Sequence, residues 1–440
     1  MNDSNAHVPS KEPKIDRRSL LKLGAAGAAT ALVAGAPAVA QANSGSRGGA
    51  GVVTHDDLPV EVGPEYKRFD QYHSVFSRAG RRGIPNMAPY YDNDKPGFTI
   101  PDYAMSLAST TVFYDYLNNG LDEIHDATDA LPEPYKFPSS AMAHAQIKRT
   151  ARLFGADLVG ITRRDERWDY SEVLHPKGRV RGEMATPQGG GVMTPGVRNR
   201  TLPWEEAMAG FNPKTVIVIG LEMEYEALRT APSQIADATA NHAYSELTSV
   251  VMHLSKFLNN LGYKSVPSVN RLGLNIPYGV AAGLGELNRM GTLQNYKYGT
   301  RFRLARVYTE LELDEYFDKP VTFGVQDFCE NCLHCADKCP SKAISHDDKP
   351  TMYTAEDVKG RPYMNPGVKK WYLDGQKCHD YWIESGTACG SCIATCPYNK
   401  PDFWHHRLID RLNTLLPGPA HKFMAEMDLL HGYGKVFDEK

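Results

Sequence analysis

All eight cysteines of the 440-residue chain lie between Cys329 and Cys396, and their spacing leaves few folds open. The first group is Cys329, Cys332, Cys335 and Cys339, followed by Pro340, a C-x2-C-x2-C-x3-C-P run. The second is Cys378, Cys389, Cys392 and Cys396, followed by Pro397, with a longer first gap. In the first pattern three cysteines serve one [4Fe–4S] cubane and the fourth ligates its partner cluster. Three thiolates on a tight loop reach three irons, and the proline turns the chain towards the other cluster. The spacing therefore assigns Cys329, Cys332, Cys335 and Cys396 to one cluster. It assigns Cys378, Cys389, Cys392 and Cys339 to the other. Zinc sites usually present two separated C-x2-C pairs instead. An even cysteine count leaves disulfides open, but they do not account for this spacing.

The N-terminus carries an address. Arg17-Arg18-Ser19-Leu20-Leu21-Lys22 is a twin-arginine signature, and an uncharged run rich in Ala and Gly follows to Ala40. Ala38-Val39-Ala40 and Ala40-Gln41-Ala42 are candidate cleavage sites. The run is near the lower length limit for a membrane span, and Ala and Gly partition weakly into lipid. Residues 1–42 are therefore read as a twin-arginine signal peptide that is removed. An oxidising destination would favour disulfides. The twin-arginine route carries proteins already folded around their cofactors, so leader and cluster motif agree. No other stretch is long and apolar enough to span a bilayer. A net charge of −3 gives no sign of nucleic-acid binding.

Residues 43–138 form an N-terminal unit, opening on a Ser- and Gly-rich linker and continuing rich in Tyr and Pro. Most of its aromatic residues are read as ordinary packing. Helical periodicity marks Ser140–Phe154, and Asp157–Thr162 follows as a strand. Residues 163–213, polar and broken by Gly and Pro, read as an insertion loop. Thr215–Leu221 is a β-branched run that fits a buried strand. Tyr244–Leu261 is the clearest helix, with Leu247, Val250, Val251, Leu254, Phe257, Leu258 and Leu261 on one stripe and Gly262 at its end. Lys264–Pro267 returns as an extended segment, and Arg303–Leu311 reads as a strand. Between them lies a Gly-rich stretch in which Asn288 stands where a G-x-G-x-x-G motif would have its third glycine, so the dinucleotide signal is weak. Alternating strands and helices predict an α+β or α/β core over 139–322. Residues 323–400 form the cluster domain. A C-terminal unit, 401–440, holds two amphipathic runs, Leu408–Leu416 and Phe423–Leu430. Packing back on the core is the commoner fate of such runs.

Clusters move single electrons but do not choose a substrate. The long segment upstream favours an enzyme over an electron carrier. From about residue 139 to 400 the chain resembles the corrinoid- and iron–sulfur-dependent reductive dehalogenases. The residues that carry the resemblance are Ala243-Tyr244-Ser245, Leu261-Gly262-Tyr263-Lys264 and Val266-Pro267-Ser268-Val269-Asn270. Further along come Ala282-Gly283-Leu284-Gly285-Glu286, Lys297-Tyr298-Gly299 with Arg301 and Arg303, and Phe323-Gly324-Val325 before Phe328-Cys329.

The resemblance implies an α+β fold: a nitroreductase-like cobalamin-binding core with a bacterial-ferredoxin-like two-[4Fe–4S] domain. It implies base-off cobalamin, and no D-x-H-x-x-G occurs to supply a cobalt-ligating histidine. It implies a small organohalide substrate, such as a chlorinated or brominated alkene or phenol. Tyr244 would be the proton donor, Arg303 its basic neighbour, and Asn270 the pocket asparagine. An unperturbed phenol has a pKa near 10, and a neighbouring cation makes it a better acid. Ser245, Gly283 and Gly285 are the expected corrinoid contacts. A membrane anchor protein, a quinol-linked electron donor and a homodimer are implied as partners, at the periplasmic face of the cytoplasmic membrane. Two rival readings are an epoxyqueuosine-reductase-like cobalamin enzyme acting on tRNA, against which the leader argues, and a non-enzymatic electron carrier.

Overall fold

The architecture is that of a computed structural model, which describes residues 52–81, 90–113, 123–128, 131, 133–174, 201–401, 418–430 and 433–434. The signal peptide and the run Leu408–Leu416 lie outside the described residues.

Four strands make the central sheet: β1 (Leu158–Arg163), β2 (Thr215–Glu222), β3 (Ser265–Ser268) and β4 (Phe302–Thr309). Their order is β1-β2-β4-β3, and every neighbouring pair is antiparallel. That pairing settles the open choice in favour of α+β, since a doubly wound α/β sheet would be parallel. The β-branched run of β2 is central, as its composition predicts, with Val216 to Ile219 fully buried. Side chains alternate between the two faces. Val216, Val218, Leu304 and Tyr308 enter one core with Trp168 and Trp204. Ile217, Ile219, Ala305 and Val307 enter the other, against the helices.

Helix α1 (Ile100–Ser109) starts on a Thr99/Asp102 capping box, and α2 (Ser140–Leu153) is capped by Ser139. The long helix α3 spans Gln234–Asn260. It begins well before the expected Tyr244. Its first turns are filled by small buried residues, Ala236, Ala240 and Ala243, which favour helix but show no large apolar stripe. Ser233 accepts from the Ala236 N–H and fixes the start. Further on, Leu247, Val251, Leu254 and Leu258 seat the helix on the sheet. Leu254 is 0% exposed, so Leu254→Ala is expected to destabilise the fold by about 2–5 kcal/mol, read as a lowered denaturant midpoint.

The N-terminal unit is laced across this core. Val53–Thr54 pairs with Val321–Thr322, Val62 bridges to Val368, and His125 bridges to Ser265. The expected insertion loop differs from its reading. Glu172–Leu174 pairs with Thr201–Pro203, and Trp168, Trp204 and Phe211 are buried in the main core. Its flanks are therefore structural, and residues 175–200 lie outside the described residues. The Gly-rich stretch folds as α4 (Asn275–Ala281) and a short hairpin, Glu286–Leu287 with Leu293–Gln294.

In the cysteine segment, α5 (Val325–Asn331) and α6 (Gly375–Ser385) carry Cys329 and Cys378. Helix α7 (Gly418–Leu430) returns onto this region. His421 is buried with its ring 5.4 Å from Phe328, and Asp428 pairs with the buried Lys400 at 2.9 Å. Of the Phe423–Leu430 run, Ala425 is buried against the cysteine segment and Asp428 holds Lys400, while Phe423 is exposed. Among the described residues no helix is long and apolar enough to cross a membrane.

Candidate active site and cluster cradles

All eight cysteines are free thiols. Cys329, Cys332, Cys335 and Cys396 line one cavity, together with Arg289, Gln294 and Phe328. Burial pushes Cys332 up to about 11 and Cys396 up to about 12. Bare thiolates are unfavourable there, and a bound cation that replaces the thiol protons relieves the penalty. Arg289 is fully buried beside them. Its guanidinium donates to the Cys329 carbonyl at 2.7 Å, to those of Ser345 and Asp347, and lies 4.7 Å over Trp371.

The other four thiols form a second group. Burial raises Cys392 first, followed by the negative charges of Cys389, Cys378 and Cys339. Cys378, pushed up to about 12, feels Cys389 and Cys339. Cys339 therefore sits with the second group and Cys396 with the first. Among the described residues no three His, Cys, Asp or Glu side chains converge as ligands of a single ion. Sulfurs spread around a cavity suit a cubane, and the donor set is all thiolate, as [4Fe–4S] clusters require.

Tyr244 and Arg303 meet between α3 and β4. On β4, Arg303 is in phase with Ala305 and Val307, whose face packs on α3. On α3, Tyr244 lies one turn before Leu247 on the same stripe. The two elements thus bring the pair together, with the guanidinium carbon 5.2 Å from the Tyr244 ring centroid. Phe113 stacks on the ring at 5.2 Å and 21°. Among the described residues the Arg303 Nε is buried without a hydrogen-bond partner, a donor that native proteins satisfy.

Asp237, two turns earlier on α3, accepts from Ser106, Asn241 and the Ala388 N–H. Burial pushes its carboxyl up, while those hydrogen bonds and the Arg303 charge pull it down. Ala388 adjoins Cys389, and Cys392 packs against a cluster containing Ala240 and Ala243 of α3. The second cysteine group therefore adjoins the helix that carries Tyr244.

Other expected site residues are placed differently. Asn270 is exposed and accepts from Asn275 at 3.3 Å, and among the described residues it is not bonded to Tyr244. Asn275 also donates to the Leu304 carbonyl, which holds Asn270 near the strand that carries Arg303. Ser245 is buried; it donates to the Ser109 carbonyl at 2.6 Å and accepts from the Phe113 N–H. Its hydroxyl holds α1 and the ring that stacks on Tyr244. Gly283 terminates α4: its N–H reaches Val280 O and that of Leu284 reaches Gly279 O, with φ +67° at the glycine. A Cβ at Gly285 would lie 2.1 Å from the Gln294 carbonyl oxygen. Each of these three residues thus has a contact within the chain that fixes its local backbone. Sequence reasoning missed Asp237, Arg289 and Gln294. A buried polar residue has no signature in a linear pattern, although Asp237 does precede Tyr244 by two turns of one helix face.

Antiparallel core and double thiolate cradle together define an iron–sulfur redox protein of the α+β class. A family model described as "4Fe-4S double cluster binding domain" matches residues 328–399. The chain is 40% identical over 361 residues to the tetrachloroethene reductive dehalogenase of Dehalobacter restrictus, covering 78% of this chain and 62% of that one. It is 37% identical over 294 residues to the protein of the same name from Sulfurospirillum multivorans, covering 66% and 56%. Among solved structures, the catabolic reductive dehalogenase NpRdhA has the same fold. Its TM-score is 0.63 at 22% identity, covering 87% of this chain and 49% of that chain. The chain belongs to the reductive dehalogenase family. It spans 62% of the length of the Dehalobacter relative.

Proposed function

We propose that this protein removes halide from a small organohalide, a chlorinated or brominated alkene or phenol, by two-electron reduction. The observation that carries the reading is Arg303 over the Tyr244 ring with its Nε buried and unpartnered. Replacing a carbon–halogen bond by carbon–hydrogen takes two electrons and one proton and releases halide. A base-off cobalamin, when bound beside this pair, supplies low-valent cobalt as the reductant for that bond. Tyr244 gives its hydroxyl proton to the carbon that loses halide. Arg303 stabilises the negative charge that develops on the phenol oxygen. Phe113 and Ser245 hold the ring in place. Electrons reach the site through the cluster held by Cys378, Cys389, Cys392 and Cys339, whose loop abuts α3 at Asp237.

The twin-arginine leader places the enzyme at the periplasmic face, where a membrane anchor protein and a quinol-linked donor would serve it. Anaerobic purification from corrinoid-replete cells, with cobalt and iron analysis and halide-release assays using a low-potential dye, tests the reading. Full iron without cobalt, with activity independent of corrinoid supply, would sink it. Arg303→Leu is expected to lower turnover by roughly 10²-fold, the scale of losing one charge-stabilising donor. Arg303→Lys should recover part of the loss in the same assay.

A further inference from the structure

We propose that Gln294, held in one orientation by Asn288, donates its amide N–H to a sulfur of the cluster bound by Cys329, Cys332, Cys335 and Cys396, and that this raises the cluster's reduction potential. The orientation follows from a chain of hydrogen bonds that starts at backbone. The Thr292 N–H donates to the Asn288 side chain at 3.1 Å. A backbone N–H only donates, so the atom it meets is Oδ1. Asn288 Nδ2 then faces Gln294 at 3.0 Å, so the atom it meets is Oε1. That leaves Gln294 Nε2 as the free end.

Gln294 is 1% exposed, and among the described residues its Nε2 is buried without a partner. The residue lines the cavity of the four thiols, with Oε1 3.9 Å from Cys396 Sγ. Asn288, whose Oδ1 accepts from the Thr292 N–H and whose Nδ2 donates to Gln294, is itself 1% exposed. Buried donors in native proteins find acceptors. Next to these four cysteines, that acceptor is a thiolate or a bridging sulfide of the cluster. Reduction adds one negative charge to the cluster. A hydrogen bond donated to its sulfur, like the buried Arg289 cation on the same wall, therefore favours the reduced state. The inference needs only the cluster in place, so it stands or falls separately from the dehalogenation reading.

The test is a potentiometric EPR titration of the anaerobic holoprotein and of Gln294→Leu. One of the two clusters should move to more negative potential by at least a tenfold change in its oxidised-to-reduced ratio, 59 mV for one electron. The other should stay. Pulsed EPR after glutamine ¹⁵N labelling should show a coupling to that cluster which Gln294→Leu removes. Asn288→Leu, which keeps Gln294 but lets its amide turn, should move the same cluster in the same direction, and it decides the matter where Gln294→Leu does not retain iron. Unmoved potentials in both variants, an equal shift of both clusters, or an unchanged nitrogen coupling would overturn the proposal. Loss of iron in both variants counts against it too, since one neutral hydrogen bond among four thiolate ligands is not needed for assembly.

Discussion

Tyr244→Phe is expected to lower halide release by about 10²–10⁴-fold, the usual contribution of a positioned general acid. The substitution removes one oxygen and little else. The ring that stacks on Phe113 and lies under Arg303 remains, and its apolar body still packs against the core between α3 and the sheet. Folding, iron content and cobalt content should therefore match the wild type. The loss should appear in kcat with a low-potential dye as donor, and a solvent isotope effect present in the wild type should change. Water is the alternative proton source, and it sets the residual rate. A variant that turns over at the wild-type rate would remove Tyr244 from the chemistry, whatever its place beside Arg303.

The two parts of the site were not equally legible in the sequence. Cysteine spacing encodes ligand topology directly, because three thiolates on one loop can only serve one cubane. The spacing therefore carries the expectation that Cys339 and Cys396 change groups, and Cys396 does line the cavity of the first group. Tyr244 and Arg303 carry no such code. Each looks like a packing or surface residue alone, and their contact depends on how α3 lies across β4. Only the family resemblance joined them. The resemblance also named Ser245, Gly283 and Gly285, and the hydrogen bond of the first, the positive φ of the second and the close backbone approach at the third are features no linear pattern shows. The central strand β2 was legible because a β-branched run reports burial. The early start of α3 was not, because Ala236, Ala240 and Ala243 are helix formers without a large apolar stripe. Helix α1 hid for a related reason: Ile100 and Met105 are exposed, which blurs its period. Arg289 and Gln294 gain meaning only when the hairpin is folded against the first cysteine group.

Cys396→Ala is expected to remove the cluster that Cys329, Cys332 and Cys335 hold, and to leave about half of the iron. Cys396 follows the second group in sequence yet lines the cavity of the first. The two ways of sharing ligands are separated by paired substitutions. If Cys396 serves the first cluster, Cys332→Ala and Cys396→Ala damage one site, and the double variant keeps the iron of either single one. Combined with Cys389→Ala, Cys396→Ala then strips both clusters. Residues that share a partner are non-additive in this way, and residues that do not are additive. Stability should follow the iron, because buried thiols without metal lose the binding energy that is coupled to folding. Iron analysis and EPR of the dithionite-reduced proteins read the outcome. Retention of half the iron by the Cys389→Ala/Cys396→Ala pair, and loss of nearly all of it by the Cys332→Ala/Cys396→Ala pair, would show that each motif keeps its own fourth cysteine. Pro340 and Pro397 would then have to turn the chain back towards its own cluster instead of across to the other.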